Sequence, residues 1–127
     1  MSNPHKGHTG LGRVTRAVRH SRNGLVAAYR CESAFRQECW GALIMVPFAP
    51  WLGRGWVETA LLMSTVVFVL IVELINSSIE AAIDRISLEL HDLSRHAKDL
   101  ASAAVFLSLV LCGGVLSAAL WQRLAVP

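Results

Sequence analysis

Apolar positions fall into three long runs with polar segments between them. The run CWGALIMVPFAPWLG fills residues 39–53, a second extends from about Val57 to Asn76, and LASAAVFLSLVLCGGVLSAAL fills 100–120 without one charge. A membrane helix needs about 20 such residues. The pattern therefore predicts an all-α membrane protein with spans at about 36–53, 57–80 and 100–121. The first run is short and carries Pro47 and Pro50, so it reads as the upper half of a longer helix starting near Glu32. Ahead of the runs, RVTRAVRHSRNGLVAAYR (13–30) places Val14, Val18, Leu25 and Tyr29 at near-helical spacing, with arginines on other faces. That is a basic amphipathic helix suited to a membrane surface, or else charge that only sets topology. Residues 1–12 read as a disordered tail; His5 and His8 within it give no defined metal site.

Composition sharpens this picture. Of 127 residues, 54% are hydrophobic and 17% charged, too apolar for an ordinary soluble domain. Charge is unevenly placed. Lys6, Arg13, Arg16, Arg19, Arg22, Arg30 and Arg36 precede the first span, and Arg85, Arg95 and Lys98 lie between the second and third; the remaining segments hold Arg54 and Arg123. Positive residues stay in the cytoplasm, so the N-terminus and the 81–99 segment are expected there, with the C-terminus in the periplasm. Trp40, Trp51, Trp56 and Trp121 fall at span ends, as an aromatic belt requires. Three cysteines without CxxC spacing read as free thiols. No secretory signal stands ahead of the first run. Nothing in the chain calls for a nucleic-acid partner.

Acidic residues raise the chemical question. In VELINSSIEAAID (72–84), about 100° per residue puts Asn76, Glu80 and Asp84 near −60°, −20° and +20° from Glu73, one narrow stripe. The second span should continue into the cytoplasm as one helix. Asp84 reads easily as a solvated helix end. Glu73, flanked by Ile71, Val72 and Leu74, does not, because a carboxylate at mid-bilayer costs roughly 2.5–3.5 kcal/mol and faces protein or water. In LELHDLSRHAKDLAS (88–102), Arg95, Lys98 and Ser102 share a face with His91 to within about 40°, and Asp99 lies near +80°. These cations suit phosphate, or they balance the acids. In ESAFRQE (32–38), Glu32 and Arg36 are spaced to pair, and Glu38 stands about 120° from Glu32 on one helix. Carboxylates with an amide suit magnesium. A carboxylate at the lipid boundary suits a general base for a lipid hydroxyl. Together they point to phosphoryl transfer to a lipid, without a GxxxxGK[ST] loop or a protein-kinase signature.

ESAFRQE (32–38), VELINSSIEAAID (72–84) and RHAKD (95–99) resemble the bacterial membrane diacylglycerol kinase family, over nearly the whole chain past Gly12. The resemblance implies a homotrimer with a surface helix and three membrane helices per chain. It implies transfer of the γ-phosphate of Mg-ATP to diacylglycerol at the bacterial inner membrane. By motif it implies Glu73 as general base with Asn76 ordering the site, and Glu32 and Glu80 as ligands of Mg2+. It implies Glu89, His91, Lys98 and Asp99 near the nucleotide, and Arg13, Phe35, Arg36, Glu38, Glu73 and Ser102 near the lipid. Cys31 stands where asparagine is common, Leu90 replaces an aromatic, and Pro47 and Pro50 are unusual; none lies on the acidic stripe.

Three alternatives stay open. A sister group of the same family phosphorylates undecaprenol. A conduit would want polar groups in several spans at mid-depth, and a scaffold gives no reason for Glu73. Small residues at Gly113, Gly114, Ser117 and Ala118 allow close helix approach, between chains or within one.

Overall fold

The computed structural model describes residues 10–86, 89 and 91–125. The tail with His5 and His8, and Leu90, lie outside the described residues. Four helices follow one another: α1 (Leu11–Cys31), α2 (Ser33–Leu52), α3 (Trp56–Ile86) and α4 (Asp92–Ala125). Among the described residues there is no strand. Two helices, α3 and α4, are long and apolar enough to cross a membrane. At 1.5 Å per residue they measure about 46 and 51 Å, well beyond a hydrocarbon core of about 30 Å. Their outer faces carry Phe68, Ile71, Phe106, Leu107, Val110 and Leu111, all exposed in the single chain. So much contiguous apolar surface is a lipid or protein-contact face.

α3 is one unbroken helix through Glu73, Asn76, Glu80 and Asp84, as the stripe predicts. It packs mainly on α4 and next on α2, while α1 touches α2. The longer helix that the sequence starts near Glu32 is α2, which begins at Ser33. Glu32 is extended (φ −103°, ψ 115°) and separates α1 from α2. The angle of about 120° between Glu32 and Glu38 therefore does not apply. α2 is helical through both prolines, 20 residues in all.

The core sits at the end of the bundle remote from the acidic residues. Ala49, Leu52 and Leu62 are buried there, with Met45, Met63, Val115, Leu116 and Ala119 packed around them. This end is also laced by polar contacts. Arg54 donates from Nη2 to the Gln122 carbonyl (2.8 Å), and its backbone N–H donates to Glu58 Oε2 (2.8 Å). The Arg123 guanidinium lies 5.7 Å from the Trp51 ring centroid, a cation–π contact. Halfway along the bundle, Thr65 donates to the Leu62 carbonyl and faces Cys112 Sγ across α3 and α4.

The α2–α3 turn depends on a glycine. A Cβ at Gly53 would stand 2.6 Å from Thr59 Oγ1 and 2.8 Å from Thr59 N. Gly53→Ala should therefore displace the turn and cost about 1–3 kcal/mol, the usual range for overpacking. Thermal melting in detergent checks this; an unchanged midpoint would mean the turn relaxes freely. By contrast, a Cβ at Gly113 or Gly114 would meet nothing within 4 Å. Intra-chain packing does not explain these two residues.

Candidate active site

Glu73 reaches the site because α3 places it one turn beyond Val69, on the face turned inward. Val66, Val69 and Glu73 are all buried, and Glu73 is 4% exposed. Glu32 arrives from the α1–α2 break and Glu80 from two turns further along α3. Both carboxylates lie close enough for their charge to act on Glu73, and the charge of Glu73 acts in turn on Glu38 of α2. Four carboxylates from three segments thus converge. Within α3, Asn76 Nδ2 donates to Glu80 Oε1 at 3.3 Å. Asn76 Oδ1 and Glu38 Oε2 are buried without a hydrogen-bond partner.

Among the described residues, no cation forms an ion pair with this cluster. Lys98 Nζ binds Asp84 Oδ1 at 2.5 Å, joining α4 to α3 beyond Glu80. Asp84 reads as a solvated helix end in the sequence, and its role as the partner of Lys98 is new; its place on the stripe was the available signal. The Glu32–Arg36 pair that the spacing allows is not among the ion pairs of the described residues. Arg36 Nη1 instead donates to the Tyr29 and Arg30 carbonyls (3.1 and 3.0 Å). Arg95 pairs with Asp92 at 3.2 Å on the surface.

Other candidates are placed as follows. His91 precedes α4 as its cap: its Nδ1 accepts the Leu93 amide at 3.1 Å. This ring nitrogen is therefore the unprotonated one. Asp99, Ser102 and Glu89 are exposed at and before the start of α4. Phe35 is buried within the chain and packs the start of α2 rather than offering a free face. Arg13 is not brought to the cluster. It lies in the first turn of α1, 18 residues and about 27 Å from Cys31 along the helix.

Two cavities flank the carboxylates. One, of about 590 Å³, lies between α1 and α3 and is lined by Leu25, Ala28, Glu32, Leu74, Ser77 and Ser78 among others. The other, of about 350 Å³, is headed by Glu38 and continues along Gly41, Met45, Val66, Val69 and Cys112. Both are apolar slots with an acid at one end, a shape that takes an amphipathic molecule. The serines of the first slot carried no recognisable signal in the sequence.

The donor set fits magnesium. It offers hard oxygen atoms, and the buried Asn76 Oδ1 has no hydrogen-bond partner among the described residues. Among the described residues, no three His, Cys, Asp or Glu side chains form a ready cage. Magnesium does not require such a cage, because it takes one or two carboxylates and completes its shell with substrate phosphates and water.

Comparison with known proteins identifies the group. The family described as prokaryotic diacylglycerol kinase matches residues 19–120. A protein named diacylglycerol kinase from Pseudomonas aeruginosa is 46% identical over 108 residues, covering 85% of this chain and 88% of that protein. One from Escherichia coli strain K12 is 43% identical over 115 residues, covering 91% and 94%. One from Helicobacter pylori is 42% identical over 101 residues, covering 80% and 79%. With the family matched from within α1 to within the last turns of α4, the chain belongs to the prokaryotic diacylglycerol kinase family.

Proposed function

We propose that this protein transfers the γ-phosphate of ATP to the free hydroxyl of diacylglycerol, giving phosphatidic acid and ADP. The observation that carries this is a buried Glu73 at the end of an apolar helix face, beside Glu32, Glu80 and Glu38, with no cation among the described residues in an ion pair with any of them. The lipid hydroxyl attacks the γ-phosphorus, its proton passes to Glu73, and ADP leaves. Asn76 holds Glu80 in place through its amide. Glu32 and Glu80 would hold Mg2+, which neutralises charge on the phosphates when bound. Catalysis rests on positioning and charge rather than on a covalent intermediate. The two slots beside Glu32 and Glu38 are the natural places for acyl chains.

Lys98 serves the phosphates in this reading. Its pairing with Asp84 is partly exposed, and such pairs are worth about 0–1 kcal/mol, so a triphosphate displaces it at little cost. Lys98→Met should raise the KM for ATP roughly 10- to 100-fold, the loss of about 1.5–3 kcal/mol for a hydrogen bond to a charged group, and leave the lipid KM unchanged. Initial rates over an ATP titration check it; a normal KM would leave Lys98 with charge balance alone.

We place α2 in the membrane as a third span, with the N-terminus and acidic cluster on the cytoplasmic side of the bacterial inner membrane. The active unit is a homotrimer. Two observations support that assembly: Arg13 is remote from its own chain's carboxylates, and Gly113 and Gly114 face open space. Radiolabelled ATP offered with diacylglycerol and undecaprenol side by side in mixed micelles tests the substrate. Diacylglycerol should be the preferred acceptor; a higher kcat/KM for undecaprenol would reassign the enzyme within its family.

A further inference from the structure

We propose that Arg36 is a positioning residue that clamps the α1–α2 corner and so aims Glu32 at Glu73. The inference rests on the reading of Glu32 as a metal-binding carboxylate. α1 ends at Cys31 and α2 begins at Ser33, so a single extended residue makes the corner. The last carbonyls of a helix need partners. No glycine ends α1, so the usual left-handed cap is not used. Ala28 O accepts the Glu32 amide at 2.8 Å, and Tyr29 O and Arg30 O accept Arg36 Nη1. A guanidinium at the negative end of α1 is also favourable to the helix dipole. Its own place, in the first turns of α2, is electrostatically poor for a cation, which points to α1 as the reason for it.

The flanking residues complete the clamp. Phe35, next in sequence, is buried and fixes the start of α2. Arg36 N–H donates to the Glu32 carbonyl at 3.2 Å, tying the backbone of Glu32 to the same residue. Because the side chain of Arg36 is engaged with carbonyls, it does not neutralise Glu32 four residues earlier. Glu32 lines the cavity under α1. A contact that orients a ligand carboxylate typically carries a 10–100-fold effect on metal affinity.

Both bonds leave one nitrogen, so a lysine ammonium can replace them, whereas a bidentate guanidinium contact to a lipid could not be replaced that way. The test uses full-length Arg36→Met, Arg36→Lys and Glu32→Ala in detergent. Amide hydrogen exchange, without metal or nucleotide, is read over residues 28–32, with 56–86 as the control for folding. Arg36→Met should speed exchange over 28–32 by about tenfold or more, as loss of two hydrogen bonds implies. It should raise the half-saturating Mg2+ concentration by about tenfold and leave the diacylglycerol KM within about twofold. Arg36→Lys should restore both. Unchanged exchange in Arg36→Met overturns the clamp, as does a raised diacylglycerol KM that Arg36→Lys fails to restore. Faster exchange in Arg36→Met, with Mg2+ dependence unaltered in both it and Glu32→Ala, upholds the clamp and overturns the metal role of Glu32.

Discussion

Glu73→Gln should stop turnover while leaving the protein assembled. A positioned general base contributes about 10²–10⁴-fold, so kcat should fall by that factor, or roughly 3–5 kcal/mol in the barrier. Glutamine keeps the shape of the side chain in a slot where Glu73 is 4% exposed, so packing is retained. It removes a buried charge and its repulsion by Glu80 and Glu32. Heat resistance in detergent should then hold or rise, since burying an unpaired charge is unfavourable. KM for both substrates should change little. A variant with near-normal kcat would remove Glu73 from the chemistry. One that loses assembly along with activity would make it a structural acid.

The metal pair should show the next largest effect. Glu32→Ala and Glu80→Ala each delete a hard oxygen donor beside Glu73. Loss of a supporting residue outside the metal shell alone costs 10–100-fold, so each variant should raise the half-saturating magnesium concentration by at least that much. Glu80→Ala also strips Asn76 Nδ2 of its partner, so its kcat should fall further than that of Glu32→Ala. Magnesium titrations at saturating ATP check both. Titrations that superimpose on the unmodified protein in both variants would end the assignment.

Much of this site was readable before any coordinates. Helical period alone put Glu73, Asn76 and Glu80 on one face, because a continuous helix leaves no freedom in their relative angles, and α3 is continuous. The basic segment before the last span met the acidic stripe as its sign demanded, through Lys98 and Asp84. The contact that holds the break at Glu32 was not readable. Neither proline nor glycine marks the break, and its stabilising contact comes from Arg36, whose spacing from Glu32 equally suits an ion pair. Which of two local partners an arginine takes depends on where the backbone turns, and that is settled by tertiary packing of Phe35 and α2. The destiny of Phe35 was hidden for the same reason: burial inside the chain and contact with lipid look alike in a string of letters. Arg13 was placed by motif, and α1 holds it about 27 Å from Cys31 along the helix.

The uninterrupted α3 acts as a ruler. Trp56, almost wholly exposed, marks its first turn, and Glu73 stands 17 residues on, about 26 Å at helical rise. In the proposed orientation, the depth of the Glu73 carboxyl below the inner headgroups is coupled to how thick the surrounding bilayer is. Lipids with acyl chains much shorter or longer than that gauge would lift or sink Glu73 against the glycerol hydroxyl, or force the rod to tilt. Turnover in reconstituted vesicles should accordingly peak at one chain length and decline on either side of it.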